Sequence, residues 1–193
     1  MKRVGVLALQ GDFGAHGKAL AQAGAEPVFV RTARDLSGID GLIIPGGEST
    51  TMLKLLRAEN MVEPLQEFGR SHPIFGTCAG VILLAKAVSN PVQESLGLLD
   101  LDVERNGYGR QIDSRVATLE PSEDFGARTG GRGNLEAVFI RAPIIRRVGP
   151  KGRVLAEYRG NPVLLEQGGH LAATFHPELT SDSRVHELFL SKL

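Results

Sequence analysis

The sequence predicts one α/β domain built around a mainly parallel sheet flanked by helices, with extra antiparallel strands in its second half. Three observations lead there. Residues 4–9 form a continuous apolar run, as expected of a strand buried on both faces. Short runs of this kind alternate with stretches of helical spacing through the first half. Gly76-Thr77-Cys78-Ala79-Gly80 has small residues two before and two after a nucleophilic side chain, which permits a tight strand-to-helix elbow.

Taken in order, the first strand is broken by Gln10-Gly11-Asp12, and residues 15–23 are expected to form a helix ended by Gly24. Residues 27–30 and 41–44 are further short strands. Residues 50–70 carry helical spacing in two pieces, separated near Asn60 or Pro64. Pro73-Ile74-Phe75 leads into the elbow, and residues 81–88 lead out as a helix. Beyond residue 100, segments 101–104, 115–119, 137–140, 154–158, 163–166 and 171–174 look like strands with few helices between them. They either extend the main sheet with antiparallel strands or form a small side sheet. Residues 183–193 suit a closing helix. The glycine- and charge-rich stretch 122–133 is expected to be a mobile loop. No repeat or linker divides the chain, so residues 1–193 are expected to be a single domain.

The chain has 193 residues, 42% of them apolar, enough for a sizeable core. Its 22 Lys and Arg balance 22 Asp and Glu, so no global charge draws it to nucleic acid or an acidic membrane. A single cysteine excludes an intrachain disulfide and fits a reducing compartment. Met1-Lys2-Arg3-Val4 runs directly into a strand without a secretory hydrophobic region, and no apolar run is long enough to span a bilayer. A cytoplasmic location is expected. Scattered histidines and one cysteine offer no metal site.

Cys78 is the candidate nucleophile. A thiol at the start of a helix lies near the positive end of its dipole, which favours the reactive thiolate. A lone cysteine is ordinarily a small core residue, but the flanking glycines and a distant His-Pro-Glu tilt the reading towards chemistry. Of the five histidines, His16, His72, His170, His176 and His186, most are expected to be ordinary surface or loop residues. His176 differs because it ends a strand and is followed by Pro177-Glu178. The proline restrains the backbone between imidazole and carboxylate, so Glu178 can orient the ring and stabilise its charged form. Strand ends on the carboxyl side of an open sheet share one crevice, where Cys78 and His176 can meet. Pro45-Gly46-Gly47-Glu48-Ser49 also follows a strand, and its glycines let backbone N–H groups approach an oxyanion. A plain turn is the competing reading, whereas a phosphate loop lacks its Gly-Lys-Ser/Thr ending.

Together these residues resemble the class I (triad) glutamine amidotransferases, with a flavodoxin-like fold. Within them they are most similar to the vitamin B6 branch, the glutaminase subunits of pyridoxal 5′-phosphate synthases. The resemblance rests on Gly5-Val6-Leu7-Ala8-Leu9-Gln10-Gly11, Pro45-Gly46-Gly47-Glu48-Ser49-Thr50-Thr51-Met52 and Phe75-Gly76-Thr77-Cys78-Ala79-Gly80. It continues through Val103-Glu104-Arg105-Asn106, Phe139-Ile140-Arg141-Ala142-Pro143 and Phe175-His176-Pro177-Glu178-Leu179-Thr180. The elbow and His-x-Glu mark the broad superfamily; Gly-Glu-Ser-Thr-Thr, Glu-Arg-Asn and Phe-Ile-Arg-Ala-Pro narrow it.

The resemblance implies hydrolysis of L-glutamine to glutamate and ammonia by Cys78, His176 and Glu178 through a glutamyl thioester. Backbone N–H groups near Gly47 and Ala79 would form the oxyanion hole, and Gly47, Glu48, Ser49, Arg105, Ile140 and Arg141 would line the glutamine pocket. On residue type alone, Arg105 and Arg141 read as solvated surface charges. The resemblance further implies a (β/α)8-barrel synthase as partner in a hetero-oligomeric complex, glutaminase activation on docking, and no bound cofactor. Gln10-Gly11-Asp12 is a candidate for coupling docking to the oxyanion site. The competing readings are a glutaminase serving another acceptor, such as imidazole glycerol phosphate synthase, an elbow-cysteine hydrolase or stress protein, and a non-catalytic docking module.

Overall fold

A computed structural model describes residues 1–107, 114–131 and 133–193 of the chain. Its first half runs β1 (Arg3–Leu7), α1 (Phe13–Gln22), β2 (Glu26–Val30), β3 (Gly41–Ile44), α2 (Ser49–Ala58), α3 (Val62–Ser71), β4 (Ile74–Thr77) and α4 (Ala79–Leu84). The second half runs β5 (Ala85–Ser89), β6 (Leu99–Glu104), β7 (Ser114–Leu119), α5 (Glu123–Arg128), β8 (Leu135–Ile140), β9 (Ile144–Val148), β10 (Gly152–Tyr158), β11 (Asn161–Gln167), β12 (His170–Ala173) and α6 (Arg184–Leu190).

Among the described residues, seven strands form the main sheet in the order β10-β11-β12-β4-β3-β1-β2. From β12 to β2 every neighbouring pair is parallel; β10 and β11 extend the sheet with antiparallel pairing. Both options for the second half are therefore realised, because β5-β6-β9 and β7-β8 form two small sheets of their own. The central strands carry side chains into both layers of core. Leu42, Ile44 and Ile74 join one buried cluster with α2, α3 and α4, and Val4, Val6, Ile43 and Phe75 join the other with α1 and α6. This double burial accounts for the unbroken apolar runs. Asn60, with φ of +54°, separates α2 from α3, whereas Pro64 falls in the first turn of α3, where a missing N–H costs little.

Two expectations are corrected. The helix leaving the elbow ends at Leu84, and residues 85–88, expected to continue it, belong to β5. Ala85 is already extended, and Ala87 and Val88 pair with Asp102 and Val103 of β6. Sheet pairing prevails here over a weak local helix preference. The stretch 122–133 contains α5 rather than being a loop throughout; Arg132 lies outside the described residues. Ser122 caps α5 by accepting the Phe125 N–H at 3.2 Å, and Phe125 is fully buried against the second core cluster. Arg128 then clamps Glu166 of β11 through two hydrogen bonds, of 2.7 and 3.1 Å. Phe125→Ala is expected to lower stability by about 3–5 kcal/mol, through lost burial plus a cavity, read as a reduced denaturation midpoint. An unchanged midpoint would show that α5 is not anchored by this ring.

Candidate active site

The parallel strands β1, β3, β4 and β12 end on one rim, and their register decides which residues meet there. Ile44 pairs with Gly76, and Ala173 pairs with Thr77. The residues just beyond these pairs, the 45–49 loop, Cys78 and the segment leading to His176, therefore converge. Cys78 donates its N–H to the Ala173 carbonyl at 2.8 Å and holds φ at +48°, a strained conformation for a residue with a side chain. That strain is typical of an elbow nucleophile. The two glycines are required by contact: a Cβ at Gly76 would lie 2.8 Å from the Gly80 backbone, and one at Gly80 would overlap the Ile44 carbonyl oxygen. The Cys78 Sγ is 3.6 Å from the Ile140 carbonyl oxygen, within range for the thiol to donate to it.

His176 follows β12 and donates its N–H to the Val138 carbonyl at 2.8 Å. A 3-10 turn, Pro177–Leu179, then folds Glu178 back so that His176 Nδ1 and Glu178 Oε1 lie 2.7 Å apart. With Nδ1–H committed to the carboxylate, Nε2 is the nitrogen left to exchange a proton with Cys78. Burial alone would push the His176 pKa down, but hydrogen bonds with Cys78 and Glu178, and their charges, raise it to about 10. Gly46 fits against this pair. A Cβ there would overlap His176 Cε1 and lie 3.1 Å from Nδ1 and 3.3 Å from Cys78 Cβ. Cysteine, imidazole, carboxylate and glycine loop thus form one site, able to perform nucleophilic acyl chemistry.

The remaining predicted residues surround the same rim. Glu48 caps α2, accepting from Thr50 N–H at 3.1 Å, Thr51 N–H at 2.7 Å and the Thr51 hydroxyl at 2.6 Å. These bonds, the Thr51 hydroxyl foremost, hold its carboxyl down to about 2. Arg105 reaches across to Thr50 Oγ1 at 3.2 Å and Glu48 Oε1 at 3.4 Å. It is therefore a largely enclosed guanidinium fixed over the α2 N-terminus rather than the solvated charge its residue type suggested. Ser49 is buried and donates to Gln93 Oε1 at 2.9 Å. Ile140 supplies the carbonyl facing the thiol, and Arg141 follows it, exposed, with φ of +46°. Ala79 is the first residue of α4 and is buried. Gln10 Oε1 accepts the Glu48 N–H at 2.9 Å, and Asp12 N–H donates to the Gly46 carbonyl at 3.3 Å, so the 10–12 loop bears directly on the 45–49 loop.

Sequence reasoning missed part of this neighbourhood. His16 and His186, expected among ordinary surface or loop histidines, are both fully buried behind Glu178. Thr77 and Gln93 were not singled out. A histidine on the apolar face of α1, two turns before Gly24, was the one available signal for His16.

The model of the SNO glutamine amidotransferase family matches residues 6–193 of the chain. The chain belongs to this family. A relative from Solibacter usitatus (strain Ellin6076), named pyridoxal 5′-phosphate synthase subunit PdxT, is 66% identical over 193 residues, covering 100% of both chains. One of the same name from Thermotoga neapolitana is 48% identical over 189 residues, covering 97% of each. A crystal structure described as a glutamine amidotransferase is 46% identical, with a TM-score of 0.87 over 98% of this chain and 97% of its own. PurLQS from Thermotoga maritima, at 15% identity and a TM-score of 0.72 over 98% of each chain, shares the fold. A class I glutamine amidotransferase fold is thereby established for this family member. Among its described residues, no helix is long and apolar enough to cross a membrane.

Proposed function

We propose that the chain is a cytoplasmic, single-domain glutaminase that supplies ammonia to a pyridoxal 5′-phosphate synthase. The observation that carries this reading is the convergence of Cys78, His176 and Glu178 beside the Gly46-Gly47 loop, in a chain 66% identical to a synthase subunit. Cys78 attacks the carboxamide carbon of L-glutamine, giving a tetrahedral intermediate whose oxygen is met by N–H groups of Gly47 and Ala79. His176 delivers a proton from Nε2 to the departing ammonia, leaving a glutamyl thioester. The same nitrogen then takes a proton from water as it attacks the thioester, and returns it to sulfur as glutamate leaves. Glu178 orients the ring and balances its charge throughout.

The glutamine pocket is assigned to Gly47, Glu48, Ser49, Arg105, Ile140 and Arg141. A guanidinium is the natural partner of the substrate's α-carboxylate, and a carboxylate or carbonyl of its ammonium. A (β/α)8-barrel synthase in a hetero-oligomeric complex is the proposed ammonia acceptor. The 10–12 loop is the proposed coupling element, because Gln10 holds the Glu48 N–H next to the oxyanion loop. If Gln10 or Asp12 substitutions leave partner-stimulated activity unchanged, that coupling is wrong.

The test is pyridoxal 5′-phosphate formation by the barrel synthase, supplied with glutamine plus this chain or with an ammonium salt alone. Glutamine-dependent product that requires this chain supports the reading. Glutaminase activity that the synthase neither raises nor consumes would assign the chain to another acceptor.

A further inference from the structure

We propose that His16 is a positioning residue for the triad carboxylate, presenting an Nε2–H to the outer oxygen of Glu178 while His186 fixes its tautomer from behind. This rests on the glutaminase reading of Cys78, His176 and Glu178. His16 projects from α1 into a site closed on every side. Its Nε2 is 3.0 Å from Thr77 Oγ1 and 3.3 Å from Glu178 Oε2, and its Nδ1 is 3.0 Å from His186 Nε2. Glu178 Oε1 is occupied by His176, whereas its buried Oε2 has no hydrogen-bond partner among the described residues. The His16 ring is the polar group placed to face it.

The tautomers follow from acceptor chemistry. An ionised carboxylate only accepts, so the nitrogen facing it must carry the hydrogen. With Nε2–H shared between Thr77 Oγ1 and Glu178 Oε2, Nδ1 of His16 is a lone pair and must receive the His186 Nε2–H. His186 Nδ1, which has no partner among the described residues, is then a bare lone pair. The opposite arrangement would aim a lone pair at a carboxylate and bury an N–H without an acceptor, both unfavourable. Burial keeps His16 and His186 neutral, with His186 lowered to about 4, consistent with one N–H per ring. The titratable groups facing His16 are thus Glu178, His186 and, further off, His176. Thr77 immediately precedes Cys78, so the same imidazole touches the nucleophile strand and the triad acid. It holds the carboxylate rotated so that Oε1 meets His176.

The experiment compares His16→Leu, His16→Gln and His16→Asn with wild type. Glutamine places its amide nitrogen near the former Nε2 and can still reach Glu178; asparagine mimics Nδ1 and cannot. With the synthase present, His16→Leu and His16→Asn are expected to lose about tenfold or more in kcat, the scale on which hydrogen-bond partners of metal-ligating histidines affect activity. KM for glutamine should stay within about twofold, since no substrate contact is removed. The basic limb of the kcat profile should move to lower pH, because a carboxylate no longer held against His176 stabilises its imidazolium less. His16→Gln should restore most of both. The rate at which iodoacetamide alkylates Cys78 at neutral pH should fall in the leucine and asparagine variants and recover in the glutamine variant; this readout needs no turnover. Wild-type kcat and pH limb in His16→Leu would overturn the proposal. So would equal losses in all three variants with an unshifted limb and only a lower thermal midpoint, which would make His16 a packing residue. A wild-type chain without glutaminase activity would refute the functional reading instead, and the alkylation rates would still decide the role of His16.

Discussion

Gly46→Ala is expected to reduce glutamine hydrolysis by about a hundredfold or more while leaving the fold intact, although residue 46 takes no part in the chemistry. The added methyl would overlap His176 Cε1 and crowd Nδ1 and the Cys78 side chain. The ring cannot yield without stretching its 2.7 Å contact with Glu178, and a displacement of about 1 Å in a catalytic group costs on the order of 10²-fold. The backbone at Gly46 itself needs no glycine-only conformation, since its φ is not positive. The loss should therefore appear in kcat with little change in thermal stability. Near-normal turnover in a folded Gly46→Ala protein would mean that the imidazole does not work from the position described.

Glu178→Gln is expected to have a still larger effect. The side chain keeps its shape but loses its charge, and it offers an amide where two imidazoles present N–H groups, His176 Nδ1 on one side and His16 Nε2 on the other. Loss of a buried carboxylate that sets the tautomer of a catalytic imidazole lowers turnover by roughly 10⁴-fold in comparable triads. The pH dependence carries a sign. His176 is held protonated up to about 10 by Cys78 and Glu178, against burial. Removing the Glu178 charge lowers that value, so the residual activity should lose its general acid at lower pH than wild type does. A variant with wild-type kcat, or with a basic limb at higher pH, would exclude the proposed role of Glu178.

The elbow was legible because it is local. Gly76 and Gly80 are demanded by contacts within one strand-helix junction, and such spacing survives in a linear reading. His-Pro-Glu was legible for the same reason, since one turn of backbone brings the ring to its carboxylate. The central strands were readable because burial on both faces leaves no polar alternation. What escaped depends on distant residues. Residues 85–88 are compatible with helix until β6 arrives to pair with them. In 122–133 the glycines obscured a six-residue helix, although Ser122 followed by Glu123 and Asp124 is a start signal that could have revealed it. Arg105 resembles any exposed arginine until the fold brings Thr50 and Glu48, more than fifty positions away, to its guanidinium. His16 was hidden in a subtler way, because nothing in α1 records that the carboxylate 162 positions later turns its second oxygen towards it.

The most direct test of the central claim is glutamate release from L-glutamine by the wild-type chain and by Cys78→Ala, each with an active barrel synthase present. Release that is clear for wild type and absent for a folded Cys78→Ala protein is the predicted result. Equal release from the two, or none from wild type beside a demonstrably active synthase, would contradict it.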